Sequence, residues 1–349
     1  MARFPISRRR LIGGIAAAGA STVFGVPTIV VAAGPKERVP VVVGADHGLI
    51  YFPWDLAKSL GYFDAEGLDV DLTYVKGGSE ASTALASGQC EYSGNAIDHA
   101  IAAAERGKSL VMIADFMNQP GISLMVRPGD REKYKTFADF KGKTIGITSI
   151  GSATHVLALW MAHRSGLSKD DVKVIGVGAG STMIAALSGN QVDVAYGVDP
   201  YVTTLIKTGR GVQWLGMFTS GDTRRALGFG QYCFTGALTR ADVLEKHADR
   251  TQKVVNALVR AQKFMATHTS AQIAAALSDE MRGGTPAGDW AASYSHSRPA
   301  YTQHGEMALE GVRAVMETNA YFLGKTSTVD ANKLFDNGYV DRAAKSVKV

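Results

Sequence analysis

The stretch LDVDLTYVKGGSEASTALASGQCEYSGNA, residues 68–96, decides the fold. Apolar and polar residues alternate over Leu68–Val75, which predicts a strand, and Glu91–Gly94 reads as a second short strand. Between them, Glu80–Ser87 has the composition of a helix that begins directly after two glycines. A strand, a helix and a strand in this order are typical of a mainly parallel sheet that is covered by helices.

The same alternation of short apolar strands and amphipathic helices extends from Val39 to about Gly211. It predicts an α/β protein in which ligands bind at the carboxyl ends of the strands. The further predicted strands are Val39–Gly44, Ser109–Phe116, Thr144–Thr148, Val172–Val177 and Val192–Gly197. The further predicted helices are Pro53–Leu60, Ala96–Arg106, Ser152–Ser165 and Thr182–Ser188.

Two breaks in the pattern divide the chain into two lobes. Pro, Gly and a run of charges at Arg127–Asp130 precede a fresh strand, which predicts a crossing into a second lobe. The alternation fades after Gly211, where a mixed stretch predicts the return crossing, and the remainder is mostly helical. We therefore expect lobe 1 at 34–127 and 220–349 and lobe 2 at 128–219. A chain of 349 residues, 46% of them hydrophobic, is long enough for both.

The N-terminal segment carries most of the excess positive charge. The formal net charge is +5, from 37 Lys and Arg against 32 Asp and Glu. Without Arg3, Arg8, Arg9 and Arg10 the basic residues number 37 − 4 = 33, so the body is nearly neutral. Nucleic acid is not an expected partner, because phosphate-driven binding needs a basic patch.

Residues 1–33 have the layout of an export signal. Basic residues at Ser7–Leu11 of the twin-arginine type precede an uncharged Gly- and Ala-rich stretch, which ends in small residues at Val31–Ala33. We expect cleavage near residue 33 and a periplasmic mature protein. The alternative is a permanent membrane anchor, which the Gly and Ala content disfavours.

No catalytic or metal-binding spacing stands out in the chain. Cys90 and Cys233 are too few for a disulfide framework or a zinc site, and the sequence leaves open whether they pair or remain free. His155 is the best catalytic candidate, yet no nucleophile and base occur at a recognisable spacing. We predict no enzymatic activity, no metal and no cofactor.

Four strand-to-helix junctions consist of small residues with hydroxyl or amide groups. They lie at Gly77–Ser79, Ser93–Ala96, Ser149–Thr154 and Gly178–Thr182. Glycine lets a backbone approach a ligand closely, and a helix start presents unpaired N–H groups. Each junction alone fits an ordinary capped turn. Together they favour an anion or a polar head group held between the lobes.

Five segments resemble one family, the solute-binding proteins of ABC importers for nitrate, sulfonates, taurine and thiamine-precursor pyrimidines. They are AKSLGYFDAEGLDVDL, GGSEASTALASGQCEYSG, FADFKGKTIGI, GSATHVLALWMAHRSGL and ALSGNQVDVAYGVDPY. The resemblance runs from about Val39 to at least Thr239. It implies a two-lobed type II periplasmic-binding-protein fold with a ligand cleft between the lobes. It also implies a small-molecule ligand and, as partners, an inner-membrane ABC permease with its ATPase; a monomer is the default expectation.

The resemblance also implies positions for the ligand-binding residues. In lobe 1 they are Asp46, His47, Tyr51, Phe52, Gly78, Ser79, Glu80, Asn95 and Ala96. In lobe 2 they are Gly151, Ser152, Ala153, Thr154, Ser181, Asp199 and Tyr201. The alternative for the aromatic residues is packing within the lobe, and for single acids it is capping of local turns.

The sequence departs from the family at two features that bear on the ligand. Val198 stands where many relatives have Trp. Acids at Asp46, Glu80, Asp98 and Asp199 would repel a bare inorganic anion, so they favour an organic ligand with a cationic or hydrogen-bond-donating end if they face the cleft.

Two other classes of protein remain as alternatives. One is a sensory module that presents its ligand to a receptor. The other is an enzyme similar to the pyrimidine-precursor synthases that share this fold. That family carries a cysteine-rich motif and an active-site His, whereas this chain has two separated cysteines.

Overall fold

The computed structural model describes residues 35–45 and 47–347. The predicted export signal and the predicted ligand residue Asp46 therefore lie outside the described residues. No helix among the described residues is both long and apolar enough to cross a bilayer.

The first sheet has five strands in the order β2-β1-β3-β10-β4. Strands β1 and β2 pair in parallel, as do β1 and β3, whereas β10 runs antiparallel to both β3 and β4. The edge strand β2 alternates buried and exposed residues at its start, which is the pattern that the sequence showed there. The bounds are β1 Glu37–Val43, β2 Leu68–Tyr74, β3 Tyr92–Ala96, β4 Leu110–Met117 and β10 Thr235–Arg240.

The second sheet repeats the same plan in the order β7-β6-β8-β5-β9. Strand β6 pairs in parallel with β7 and β8, and β5 runs antiparallel to β8 and β9. In each sheet the antiparallel strand is the one that follows a crossing from the other sheet. The bounds are β5 Ile122–Val126, β6 Thr144–Ile147, β7 Lys173–Gly176, β8 Val194–Gly197 and β9 Val212–Met217.

Fourteen α-helices connect and cover the strands of the described part of the chain. Those before the return crossing are α1 Pro53–Ser59, α2 Tyr62–Ala65, α3 Gly78–Ser87, α4 Asp98–Ala104, α5 Ala153–Arg164, α6 Ser181–Ser188 and α7 Tyr201–Lys207. The others are α8 Ser220–Leu227, α9 Ala241–Lys246, α10 Ala248–Thr267, α11 Ser270–Ala275, α12 Ala287–Ser297, α13 Leu309–Leu323 and α14 Gly338–Ser346.

We call residues 35–45, 47–117 and 235–347 lobe one, and residues 122–217 lobe two, after the sheet to which each belongs. Helix α10, which follows the return crossing, packs on α1, α2 and β4 of lobe one, and α13 contacts both α4 and α5. The first exchange between sheets thus falls at residues 118–121, ahead of the expected crossing at Arg127–Asp130. The difference arises because Ile122–Val126 pairs within the second sheet, whereas the sequence pattern predicts no strand there.

The two cysteines are free and buried. They precede neighbouring strands, but β3 and β10 are antiparallel and pair Tyr92 with Thr239 and Ala96 with Thr235. Cys90 and Cys233 therefore lie at opposite ends of the strand pair, roughly 25 Å apart at the rise of an extended chain. A disulfide needs Cα atoms about 6 Å apart, so the pairing that the sequence left open does not occur in this fold.

Candidate functional site

The carboxyl ends of β1, β2 and β3 form the floor of the cleft, and glycines bring its polar side chains close to the backbone. A Cβ atom on Gly78 would lie 2.6 Å from His99 Nε2 and 2.7 Å from Asn95 Oδ1. Distances of that size are not tolerated, so only glycine allows this approach at the start of α3. Asn95 Nδ2 in turn donates to the Gly78 carbonyl oxygen at 3.2 Å.

The two lobes contact each other directly beside this floor. Ser79 Oγ, in the first turn of α3, donates to the carbonyl oxygen of Ile150 in lobe two at 3.0 Å. A Cβ atom on Gly77 would lie 2.5 Å from Ser149 Oγ. Gly151 has a φ of +80°, and a Cβ there would lie 3.5 Å from Ser79 Oγ. Of the predicted ligand residues, Gly78, Ser79 and Gly151 are thus brought together where the lobes meet.

The hydroxyl groups expected to meet a ligand in lobe two bond to one another instead. Ser152 Oγ and Thr154 Oγ1 are 2.8 Å apart, and each lies 2.9 Å from Thr148 Oγ1. Thr154 Oγ1 also accepts from the Thr148 N–H at 3.0 Å. All three side chains are buried. They join the end of β6 to the start of α5, and the buried Ala153 lies beside them.

The loop after β1 is mostly part of the core of lobe one. The ring of Phe52 packs against Trp290, with centroids 4.8 Å apart, so it belongs to a packing cluster. Tyr51 is buried, and that burial raises the pKa of its hydroxyl. His47 is half-buried, with φ +46°, and its ring lies 4.4 Å from that of Tyr74. The alternative of lobe packing therefore describes both Tyr51 and Phe52, whereas His47 is half-buried beside Tyr74.

Asp199 links the lobes and has its hydrogen bonds satisfied within the protein. Its buried carboxylate accepts from His296 Nδ1 at 2.7 Å and from Ser297 Oγ at 3.0 Å, both at the end of α12 in lobe one. Within lobe two it accepts from the backbone N–H and the hydroxyl of Thr203. The peptide bond to Pro200 is cis. Asp199 therefore acts as a structural joint in this arrangement.

The other predicted residues fall into three places. Asn95 and Ala96 are the buried last residues of β3, so the expected helix start at Ala96 is replaced by one at Asp98. Glu80 is exposed and accepts from the Lys76 N–H at 3.2 Å, as an acid at a helix start should. Ser181 and Tyr201 line a second cavity of about 490 Å³, together with Lys207 of lobe two and Asp289 of lobe one.

A cavity of about 470 Å³ opens between α3 and α4 of lobe one and Ile150–Gly151 of lobe two, and the end of α13 closes it. We call it the α3–α4 pocket. Its size suits a small ligand. Its polar lining is Ser79, Ser82, Thr83, Ser87, Asp98, His99, Arg106, Lys108 and Asn319.

Neither Asp98 nor His99 is among the ligand-binding residues predicted from the sequence, where Asp98 is only one of four acids that would repel an inorganic anion. They are 3% and 6% exposed, and both line the α3–α4 pocket. Within the described residues, Asp98 Oδ1 and His99 Nε2 have no hydrogen-bond partner. The available signal was their position directly after β3, at a strand end that faces the other lobe. No group of three or more His, Cys, Asp or Glu among the described residues is arranged to hold a metal ion.

A family model described as NMT1/THI5 like matches residues 46–271. A 4-amino-5-hydroxymethyl-2-methylpyrimidine phosphate synthase of Schizosaccharomyces pombe is 26% identical over 149 residues, 43% of this chain and 41% of that protein. A synthase of the same description from Saccharomyces cerevisiae, THI11, is 22% identical over 220 residues, 62% of this chain and 63% of that protein. The chain thus spans less than two thirds of these curated relatives.

Three solved structures show the fold across most of the chain. A Bordetella bronchiseptica RB50 protein is 28% identical, with a TM-score of 0.82, and covers 89% of this chain and 98% of its own. The periplasmic nitrate-binding protein NrtA of Synechocystis PCC 6803 is 14% identical, with a TM-score of 0.73, and covers 90% of each. The alkanesulfonate-binding protein SsuA of Xanthomonas axonopodis pv. citri, bound to MOPS, is 18% identical, with a TM-score of 0.67 and 89% and 99% coverage. These matches confirm the predicted two-lobed type II periplasmic-binding-protein fold.

Proposed function

Because the chain belongs to the NMT1/THI5-like family, we propose that it is the extracytoplasmic solute-binding component of an ABC importer. It binds a small organic anion or zwitterion between its lobes and delivers it to an inner-membrane permease that an ATPase drives. The structural likeness to nitrate- and alkanesulfonate-binding proteins supports this proposal at the level of the fold.

The observation that carries the proposal is that cavities of ligand size take their walls from both lobes. The second cavity does so, and so does the α3–α4 pocket, which also contains Asp98 Oδ1 and His99 Nε2, unpartnered among the described residues. Ser79, Asp98 and His99 line the α3–α4 pocket from lobe one, and Ile150 and Gly151 line it from lobe two. A ligand that touches both walls binds the closed arrangement more tightly than an open one, so it shifts the population toward closure. A permease then recognises and binds that closed form. No bond in the ligand is made or broken.

A thermal-shift panel tests the binding function. The purified protein is heated with nitrate, sulfonates, aliphatic and aromatic carboxylates, and aminopyrimidines. A ligand specific for the native state adds about 2.7 kcal/mol of stability at a hundredfold excess over its dissociation constant. We expect one chemical class to raise the melting temperature, and absence of any shift across the panel contradicts the proposal.

A synthase is the second candidate, because curated relatives with 26% and 22% identity carry that activity. The two candidates differ in what happens to the bound compound. A stabilising compound is incubated with stoichiometric protein, and the mixture is denatured and analysed by mass spectrometry. The importer component returns the compound and an unmodified chain. A changed compound or a covalently altered protein favours the synthase.

A further inference from the structure

We propose that the α3–α4 pocket recognises a cationic, hydrogen-bond-donating head group of its ligand through Asp98 and His99. The inference rests on the proposed binding function and names the ligand class and orientation that this site accepts. It places recognition on a pair of residues after β3, away from the second cavity that contains Ser181 and Tyr201.

The first step of the argument is the hydrogen-bonding state of this pair. Both side chains are more than nine-tenths buried, yet Asp98 Oδ1 and His99 Nε2 have no partner among the described residues. Leaving a buried polar group unpaired destabilises the folded protein. Native proteins keep few such groups, and a functional site is one of the reasons for retaining them. A ligand that donates to both atoms would remove this cost.

The second step is charge. Burial raises the pKa of the Asp98 carboxyl, and the adjacent His99 opposes that shift. The polar groups that line this pocket from α3 and α13 are all neutral: the hydroxyls of Ser79, Ser82, Thr83 and Ser87 and the amide of Asn319. Helices α3 and α13 therefore supply Asp98 with no countercharge in this pocket, and an ammonium, an amidinium or a protonated aromatic nitrogen would provide it. A bare anion at this end would be repelled.

The third step is the opposite end of the pocket. Arg106 and Lys108 also line it, and both are exposed. The acid is thus at the buried end, and the two cations are near solvent. A zwitterion fits this polarity, with its amine toward Asp98 and its carboxylate, sulfonate or phosphate toward Arg106. The cavity of about 470 Å³ accepts a small molecule of this kind.

The test is calorimetric titration with matched compounds, each with and without the amino group. The probes are β-alanine and propionate, taurine and ethanesulfonate, and an aminopyrimidine with its deamino counterpart. We expect at least one amino compound to bind at least tenfold more tightly than its deamino counterpart. The Asp98→Asn variant, which keeps the shape and removes the charge, should lose that preference. Asp69→Asn makes the same change at an exposed site on β2 and should bind like the unaltered protein.

Urea unfolding of the Asp98→Asn variant separates ligand recognition from a structural role. If Asp98 only stabilised the fold, its replacement would lower the free energy of unfolding. We expect the ligand-free variant to be at least as stable as the unaltered protein at neutral pH, because a buried charge has been removed. If the variant does not fold, His99→Gln serves as the second variant, and it too should weaken binding of the amino compound.

Three results would overturn the inference. They are equal affinity for amino and deamino compounds, unchanged amine preference in Asp98→Asn, and no binding of any amino compound at millimolar concentration. The importer function can still hold in these cases. Tight binding of nitrate or of an unsubstituted sulfonate would support the proposed function while excluding this head group.

Discussion

Ser79 and Ile150 belong to different lobes, and Ser79 Oγ donates a 3.0 Å hydrogen bond to the Ile150 carbonyl oxygen. Both residues also line the α3–α4 pocket, although the Ile150 side chain is 59% exposed. One of the contacts that hold the lobes together is thus part of the wall that a ligand would touch. Closure and ligand binding should therefore be energetically coupled at this point.

Replacing Ser79 with Ala should weaken ligand binding without unfolding the protein. The variant loses one hydrogen bond of the closed arrangement, worth about 0.5–1.5 kcal/mol, which corresponds to a roughly two- to tenfold higher dissociation constant. Calorimetric titration with a stabilising compound measures the effect. Ser346→Ala is the matched control, since it removes a 3.0 Å bond within α14. Equal affinity of both variants would show that the contact does not contribute to closure.

A methyl group at Gly78 should damage the floor of the cleft. The Cβ of Gly78→Ala would meet His99 Nε2 and Asn95 Oδ1 at 2.6 and 2.7 Å, so these side chains must move. We expect a loss of roughly 1–3 kcal/mol of stability from overpacking, together with weaker ligand binding. Urea unfolding and titration measure the two effects. Gly288→Ala on α12, where no atom lies within 4 Å of the added carbon, should leave both unchanged or slightly improve stability.

The Asp199 joint predicts a stability effect that is separate from ligand chemistry. Asp199→Ala would leave His296, Ser297 and Thr203 without their acceptor, which should cost roughly 3 kcal/mol in the free energy of unfolding. Asp170→Ala, at an exposed position, is the control and should change stability by about 0.5 kcal/mol or less. Chemical denaturation of both variants measures these changes in the free energy of unfolding. A stable Asp199→Ala protein that has lost only ligand binding would instead make Asp199 a ligand contact.

Asp115 predicts how stability depends on pH. It is buried on β4, its Oδ2 has no partner among the described residues, and burial raises the pKa of its carboxyl well above the usual range. The folded state therefore holds this proton more tightly than the unfolded state. Its contribution to stability is largest below the unfolded pKa, about 3.9, and is lost as pH rises through the higher folded value.

Asp115→Asn removes this titrating group. The unfolding free energy of the variant should fall less between about pH 4 and pH 8 than that of the unaltered protein, as measured by urea denaturation across that range. The exposed replacement Asp69→Asn should keep the original slope. Identical pH profiles for all three proteins would mean that Asp115 does not titrate differently on folding.

The thiols should be unreactive in the native protein. Burial raises the pKa of Cys90 to about 11 and raises that of Cys233 as well, so few thiolates exist at neutral pH. A thiol reagent should label neither cysteine in the folded protein. It should label both once the protein is unfolded, even when no reductant is added. Labelling of the folded protein, or a need for reductant, would contradict the buried free state.

Most of the strand and helix pattern could be predicted from local sequence. Alternation at Leu68–Val75 and the glycines before α3 are local signals, and the observed elements begin or end within about two residues of the predicted bounds. Strand β5 was missed because Ile122–Val126 is a short apolar run without alternation, buried on both faces. Its antiparallel partners, β8 and β9, lie more than 60 residues away, and no local pattern encodes such pairing.

The site residues were harder to predict, because the function of a polar side chain depends on its neighbours. Ser152 and Thr154 carry hydroxyls at a strand-to-helix junction, as a ligand site would, but Thr148 is close enough to bond both. Asp199 meets His296 from a helix almost a hundred residues later. Asp98 and His99 are buried, and Asp98 Oδ1 and His99 Nε2 have no hydrogen-bond partner among the described residues. Both properties depend on how distant parts of the chain pack, so the sequence around the two residues does not reveal them.

Small-angle X-ray scattering of the protein, free and saturated with a compound from the thermal-shift panel, tests the central claim most directly. If the lobes close on a ligand that contacts both, the radius of gyration should be smaller in the saturated sample, and Ser79→Ala should need more compound to reach the same value. An identical radius of gyration in the two samples, with binding verified by calorimetry, would contradict a binding protein that works by closing its lobes.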